Sequence, residues 1–200
     1  PSLAKQGVQE LVLMAQDTSR YGIDLYGKYA LAELLTRLCA IDGLHWIRVL
    51  YCYPDSITDE LLEVMAREEK VVNYMDIPLQ HASGKILRAM NRRGDRQSLT
   101  ALMQKIRDKV PGVVLRTTLI TGFPGETEED FTELAEFVRD VKFERLGCFA
   151  YSQEEDTPAA LLPDQIDEDV KERRAEILMD DQMAIMEAQG EELLGQTLEV

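Results

Sequence analysis

The residues that most clearly suggest a ligand site lie in a GFPGE loop, which follows an apolar, β-branched run and precedes an acidic helix start. Gly122 and Gly125 permit a positive φ or a close approach of the backbone to a ligand, and Pro124 stiffens the turn. Thr127 can cap the following helix, with Asp130 three residues later in a variant of the capping box. The pattern predicts a strand that leads through a tight turn to a helix N-terminus.

The charges around this loop decide which ligands it could take. Many α/β proteins bind phosphate at such a turn, but no Gly-Lys-Ser/Thr is present here. Glu126, Glu128, Glu129 and Asp130 would repel a phosphate. A ligand should therefore be neutral or cationic, and S-adenosylmethionine, a sulfonium, fits that description. The alternative is a capped turn without a ligand.

Polar or small residues also follow the other predicted strands, at the edge where parallel α/β barrels carry their sites. In chain order the five strand ends carry 16–22, then Tyr51, Tyr53 and Asp55, then Gln80 and His81, then 121–126, and finally Tyr151, Ser152 and Gln153. This concentration of Gln, Tyr and Asp favours a polar pocket for a sizeable ligand, and ordinary loop polarity is the alternative.

Three of these side chains have a chemical and a structural interpretation. His81 could be a general base, although a hydrogen-bonded structural histidine is the favoured interpretation. Asp17 and Arg20 form either a local turn pair or a clamp for the amino and carboxylate groups of a ligand. These patterns assign no catalytic residue.

The cysteines do not form a metal-binding pattern. Cys39, Cys52 and Cys148 are odd in number and widely separated, and the sequence contains no C-x-x-C. They are interpreted as buried free thiols in a reducing cytoplasm, and no metal site is predicted from them.

Hydrophobic periodicity and stop signals predict alternating strands and helices. The strands are predicted over 10–16, 46–53, 74–79, 113–120 and 146–151, and the helices over 29–41, 59–69, 85–90, 99–109, 128–141 and 167–194. Within the last helix, apolar residues at helical spacing over 171–186 predict a packing face with charges opposite. Repeated β–α units imply parallel strands with right-handed crossovers. They suit an incomplete barrel or an open doubly wound sheet.

Composition narrows the class of protein further. The 200 residues are enough for one sizeable domain, and neither a signal peptide nor a membrane span is predicted. A net charge of −15 disfavours nucleic-acid binding by this segment and suits a basic protein partner, with solubility as the alternative role. The chain starts without Met and close to a strand, and is interpreted as part of something longer.

Taken together, the residues resemble the radical S-adenosylmethionine methylthiotransferases, and most closely the RimO-type branch, which modifies an aspartate of ribosomal protein S12. The matching segments cover nearly the whole chain in the expected order. They are ELVLMAQDTSRYGIDLYG, WIRVLYCYPDSITDELLEVM, VVNYMDIPLQHASGKILRAMNRRG, RTTLITGFPGETEEDF and QMAIMEAQGEELLGQTLEV, of which AQDTSRYG is the distinguishing piece.

The resemblance implies an α/β fold, a partial TIM-type barrel of six β/α units whose first unit is missing here. It implies a radical S-adenosylmethionine barrel over 1–165, a connecting helix over 166–194 and the start of a TRAM domain over 195–200. It also implies an S-adenosylmethionine site, formed by Gln16, Asp17, Tyr53, Gln80, Thr121, Gly122, Pro124, Gly125 and Glu126.

One family feature is absent from the sequence. The C-x-x-x-C-x-x-C triad that binds the radical-generating 4Fe-4S cluster does not occur, and its ligands are expected upstream of Pro1. The family further implies ribosomal protein S12 as substrate, an electron donor, and a cytoplasmic enzyme without membrane association. A tRNA methylthiotransferase of the same fold and a non-catalytic α/β binding module are the alternatives.

Overall fold

The structure is a computed structural model that describes residues 1–197. Over this range the chain forms two compact units. Unit 1 contains 1–79 and 101–116, and unit 2 contains 80–100 and the chain from 117 onward.

The strands follow one another in the sheet in the order of the sequence. Within the described residues they are β1 (Glu10–Leu13), β2 (Trp46–Val49), β3 (Val71–Asp76), β4 (Val114–Thr121) and β5 (Arg145–Ala150), in the order β1-β2-β3-β4-β5. The pairs β1–β2, β2–β3 and β3–β4 are parallel. A doubly wound sheet would reverse its strand order at one point. The consecutive order is therefore that of a singly wound α/β fold, which confirms the predicted parallel α/β class.

The helices alternate with these strands. They are α1 (Ser2–Lys5), α2 (Ile23–Tyr26), α3 (Leu31–Cys39), α4 (Asp59–Arg67), α5 (Gly84–Ala89), α6 (Arg96–Lys109), α7 (Glu128–Val141) and α8 (Glu168–Glu192). Short 3-10 turns cover Thr18–Arg20, Pro54–Ser56 and Pro158–Leu161. No helix in the described part of the chain has the length and apolar character needed to cross a membrane.

The predicted bounds are confirmed for α7, and the other predicted elements differ from their predictions by one to four residues at one or both ends. Helix α6 begins three residues early because the Asp95 carboxylate accepts a hydrogen bond from the Ser98 N–H at 2.8 Å, which caps the first turn. Strand β3 begins at Val71 and ends at Asp76, whereas 74–79 was predicted. The chain leaves the regular strand after Asp76, where the Ile77 N–H still donates to the Arg116 carbonyl at 2.8 Å. It pairs with β4 again in an isolated bridge from Gln80 to Leu119.

Each unit has its own apolar core. Unit 1 buries side chains from α3, α4, α6 and the first strands, including Leu35, Ile47, Leu62, Met75 and Ile106. Unit 2 buries side chains from α5, β4, α7, α8 and the connection between α7 and β5, including Leu87, Leu119, Leu134, Phe137, Phe143 and Leu178. Removal of these side chains from water is the main force that holds the strands and helices together.

Helix α8 differs most from its prediction. The buried positions of α8 are Lys171, Arg174, Leu178 and Gln182, whereas Met179 and Met183 are exposed. The helix is a packing helix, as predicted, and packs on α7 and β5, but the expectation that its packing face is apolar is wrong, because the helix turns a largely polar stripe inward. The expected start of a TRAM domain over 195–200 lies partly outside the described residues.

Candidate functional site

In unit 1, the turn after β1 is organised by two buried hydroxyls. Thr18 Oγ1 donates to the Leu50 carbonyl at 2.6 Å. The Ser19 hydroxyl donates to the Asp17 carboxylate and accepts from the Tyr53 N–H at 3.0 Å. Asp17 and Tyr53, two predicted cofactor residues, therefore meet through Ser19.

The third predicted residue of unit 1, Gln16, is exposed beside this turn. The partner that the structure gives the Asp17 carboxylate is the Ser19 hydroxyl, rather than the Arg20 side chain of the predicted turn pair.

In unit 2, a cavity of about 440 Å³ lies at the ends of β4 and β5. The Phe123 and Tyr151 rings meet edge to face at 5.3 Å in its wall. The cavity is lined mostly by apolar groups: Gln80, Ala89, Met90, Asn91, Arg92, Ile120, Phe123, Tyr151, Thr157, Pro158 and Ala159. Such a cavity suits a flat ring system whose faces pack against aromatic and aliphatic side chains.

Two features of the wall point to a ligand. The Tyr151 hydroxyl is buried and has no hydrogen-bond partner within the described residues. A buried hydroxyl without a partner is costly, and a bound polar atom would remove that cost. Gln80 has a φ of +72°, a backbone conformation that non-glycine residues rarely adopt and that is often found at functional sites.

The strained Gln80 is held by β4. Its N–H donates to the Thr118 carbonyl at 2.9 Å, and its carbonyl accepts from the Ile120 N–H at 2.8 Å. These bonds fix the backbone conformation of Gln80, which is one of the residues that line the cavity.

The loop over 122–126 is held by its own glutamate. The Glu126 carboxylate is fully buried, and its Oε2 accepts from the Gly122 N–H at 2.9 Å. His81 Nε2 lies 3.2 Å from the same oxygen. The Oε1 atom accepts from Arg174 at 2.7 Å. Both Glu126 oxygens are thus occupied by protein groups, so this side chain orders the loop.

His81 is the hydrogen-bonded structural histidine that the sequence favoured. It is fully buried, and its Nδ1 accepts from the Ser83 N–H at 2.9 Å. Because Nδ1 accepts a hydrogen bond, the ring N–H is at Nε2, which donates a hydrogen bond to the Glu126 carboxylate.

The predicted capping box at the start of α7 is confirmed. The Thr127 hydroxyl accepts from the Asp130 N–H at 3.2 Å, and the Asp130 carboxylate accepts from the Thr127 N–H at 3.0 Å. Lys85 and Ser83 also donate to Asp130, at 2.8 and 2.7 Å. Burial favours the neutral acid, but these hydrogen bonds outweigh it and hold the pKa of Asp130 well below its ordinary value.

Thr121 and Gly122 contact α8, which sequence reasoning did not associate with the site. The Thr121 hydroxyl donates to the Lys171 carbonyl at 3.0 Å. Gly122 has a φ of +71°, and a Cβ added there would lie 2.7 Å from the Lys171 Cβ. Glycine is therefore required by close helix packing. No signal in the sequence links residues fifty positions apart.

The remaining two predicted loop residues differ in their surroundings. Pro124 is buried, and Gly125 has a φ of +82° with open space where a Cβ would be. The Gly125 N–H donates to the Asp164 carbonyl at 3.0 Å. The structure thus brings Gln80 and the loop residues together in unit 2, and Asp17 and Tyr53 together in unit 1.

The cysteines do not fit an iron–sulfur cluster. Cys39 lies on α3, Cys52 follows β2 and Cys148 lies in β5. No group of three His, Cys, Asp or Glu side chains among the described residues could hold a metal ion. Cys52 is buried as expected, but Cys39 and Cys148 are only half-buried, which corrects the expectation of three buried thiols.

Comparison with known proteins gives close relatives in sequence. Residues 2–138 match the Radical SAM superfamily. The chain is 54% identical, over 99% of its length, to "Ribosomal protein uS12 methylthiotransferase RimO" of Lachnoclostridium phytofermentans. It is 52% identical, again over 99% of its length, to the protein of the same name from Clostridioides difficile. In both cases it spans 45% of the relative.

Solved structures with the same fold are more distant in sequence. Coproporphyrinogen III oxidase from Escherichia coli, a radical SAM enzyme, matches with a TM-score of 0.57 and 19% identity, over 80% of this chain and 37% of that one. The radical S-adenosylmethionine methyltransferase TsrM from Kitasatospora setae, with cobalamin and a 4Fe-4S cluster bound, matches with a TM-score of 0.57 and 16% identity. That match covers 74% of this chain and 29% of TsrM. These likenesses concern the fold alone.

Proposed function

Because the chain belongs to the radical SAM superfamily, we propose that it forms the S-adenosylmethionine-binding part of a methylthiotransferase. The parent enzyme transfers a methylthio group to the β-carbon of an aspartate in ribosomal protein S12. One observation carries the proposal: two relatives with that named substrate are 52–54% identical over 99% of the chain. The net charge of −15 supports a basic ribosomal protein as partner rather than a nucleic acid.

The residues present fit S-adenosylmethionine. The apolar cavity of unit 2 would hold the adenosine moiety between Phe123, Tyr151 and Ile120, and the unpartnered Tyr151 hydroxyl would bond to it. Gln80 and the backbone of the 122–126 loop would complete that wall. Within unit 1, Gln16, Asp17 and Tyr53 are proposed as cofactor-binding residues, of which Asp17 and Tyr53 meet through Ser19.

The cofactor, once bound, supplies the methyl group and the radical chemistry of the superfamily. The residues of this chain bind it, orient it and exclude water from it. The ligands of the 4Fe-4S clusters are proposed to lie upstream of Pro1, since the cysteines here do not fit a cluster. An electron donor is required, and the parent enzyme is proposed to act in the cytoplasm.

The test is the mass of ribosomal protein S12 from cells with and without the parent gene, with fragmentation to place any change. The loss of one methylthio group from an aspartate in the deletion strain is the expected result. An unchanged mass would contradict the proposal. Loss of a methylthio-adenosine from tRNA would then assign the enzyme to tRNA, and no change in either would favour a non-catalytic binding module.

A further inference from the structure

We propose that Arg174 is a positioning residue for S-adenosylmethionine, which from helix α8 holds the 122–126 loop in the conformation that shapes the cavity of unit 2. The inference rests on the proposed function, because that function assigns this cavity to the cofactor. It assigns a role to a helix that sequence patterns place outside the site.

The contacts of Arg174 are those of a bridge between the loop and α7. One guanidinium nitrogen donates to Glu126 Oε1 at 2.7 Å and to the Glu126 carbonyl at 3.4 Å. A second nitrogen donates to Glu128 Oε1 at 2.6 Å, and the third, Nε, is buried without a partner among the described residues. The guanidinium lies 5.3 Å from the centre of the Phe131 ring, and only 7% of the side chain is exposed.

Glu126 transmits this restraint to the whole loop. Its second oxygen accepts from the Gly122 N–H, so one carboxylate joins both ends of the five-residue turn. Phe123 lies between these ends and lines the cavity. Without the guanidinium, a buried carboxylate would lose its main counter-charge, which is strongly unfavourable. The carboxylate and the loop attached to it would then shift.

A second contact from α8, one turn earlier, reaches the Tyr151 ring of the same cavity. The Lys171 ammonium lies 5.4 Å from the centre of the Tyr151 ring, and the Lys171 carbonyl accepts from Thr121. The first two turns of α8 therefore contact the Tyr151 ring directly and, through Glu126, the loop that carries Phe123. Binding sites need such supporting contacts, because small displacements of the groups that touch a ligand weaken its binding.

The test is steady-state kinetics of the holoenzyme with S-adenosylmethionine varied and the protein substrate saturating. We expect Arg174→Met to raise the KM for S-adenosylmethionine by about tenfold, with kcat changed much less. Arg174→Lys should recover part of this loss, since an ammonium can still reach one carboxylate. The matched control is Arg139→Met, which removes an Arg139–Asp181 ion pair of 2.9 Å between α7 and α8. Its KM should stay within about twofold of wild type.

Glu128→Gln keeps the proposal testable if Arg174→Met does not fold. The Glu128 side chain is 78% exposed, so its replacement leaves no buried charge. We expect about a two- to threefold rise in the same KM. Unchanged KM values for Glu128→Gln and for any folded Arg174 variant, in an enzyme that uses S-adenosylmethionine normally, would overturn the role of Arg174 alone. A wild-type enzyme that does not bind S-adenosylmethionine would overturn the proposed function and this inference together.

Discussion

At the scale of single residues, Gly122 shows how a ligand-loop signature can have a packing cause. Its φ is +71°, and Lys171 occupies the space of a side chain. We expect Gly122→Ala to lower the free energy of unfolding by about 2–4 kcal/mol, because backbone strain and a forced shift of α8 add together. Urea unfolding measures this difference.

Gly125 provides the matched control for that substitution. Its φ is +82°, but a Cβ there would have nothing within 4 Å. Gly125→Ala should therefore cost only the backbone strain, about 1 kcal/mol. Equal losses for the two variants would contradict the packing role of Gly122.

Asp130 should make the stability of the protein depend on pH. Burial alone would raise its pKa, but hydrogen bonds from Lys85, Ser83 and Thr127 lower it. A carboxylate with a lowered pKa stabilises the folded state above its unfolded-state pKa of about 3.9, and this contribution is lost as the pH falls toward the folded-state value. We expect Asp130→Asn to lose about 1–2 kcal/mol at neutral pH and progressively less below about pH 4.

The control for Asp130 is Glu129→Gln in the same helical turn. Hydrogen bonds from its own backbone and from Thr127 lower the pKa of Glu129, but the side chain is exposed and screened by solvent. Thermal unfolding across the pH range should show a much smaller difference for this variant. A constant difference between Asp130→Asn and wild type at every pH would exclude a role for the ionised carboxylate.

Contacts between residues close in sequence could be predicted from the sequence, and contacts between distant residues could not. The capping box of Thr127 and Asp130 lies within four residues, so the sequence pattern predicts it correctly. Glu126 was predicted to face a cofactor, but its carboxylate bonds to His81 and Arg174, 45 and 48 positions away. Nothing in a single sequence specifies such partners.

At the scale of elements, α8 departs furthest from its hydrophobic pattern. Periodicity predicts an apolar face, yet Lys171, Arg174 and Gln182 are buried and Met183 is exposed. Carbonyl and carboxylate acceptors of unit 2 meet most of the buried donors, as when Gln182 donates to the Phe143 carbonyl at 2.9 Å. Among the described residues, Arg174 Nε and Gln182 Oε1 are buried without a partner. Helix α7 was located well because the apolar residues of its sequence pattern are the ones that it buries.

A substitution on each face tests whether α8 is part of unit 2 or only a connector. Leu178 is fully buried, so Leu178→Ala should cost about 3 kcal/mol through lost burial and a cavity. The Met183 side chain is 57% exposed, and Met183→Ala should cost less than about 1 kcal/mol. Equal, small losses in chemical unfolding would mean that α8 is only a connector.

At the scale of the whole molecule, the order of β–α units was predictable and the division of the chain was not. Alternation along the sequence gives parallel strands, but both an incomplete barrel and a doubly wound sheet satisfy it. The consecutive strand order decides between them. The chain passes from unit 1 to unit 2 at residue 80, returns to unit 1 at residue 101 and enters unit 2 again at residue 117. No change in amino-acid composition marks these points.

The distribution of cysteines over the molecule yields the last prediction. Iron binds thiolates, but burial raises the pKa of both Cys52 and Cys148 to about 12, which keeps these thiols protonated. Burial also raises the pKa of Cys39, which lies on a different element from the other two. Replacing all three by Ala should leave the iron content and the visible absorption of the holoenzyme unchanged. The three single variants are the controls for folding, and loss of iron from any folded variant would show that this segment supplies a cluster ligand after all.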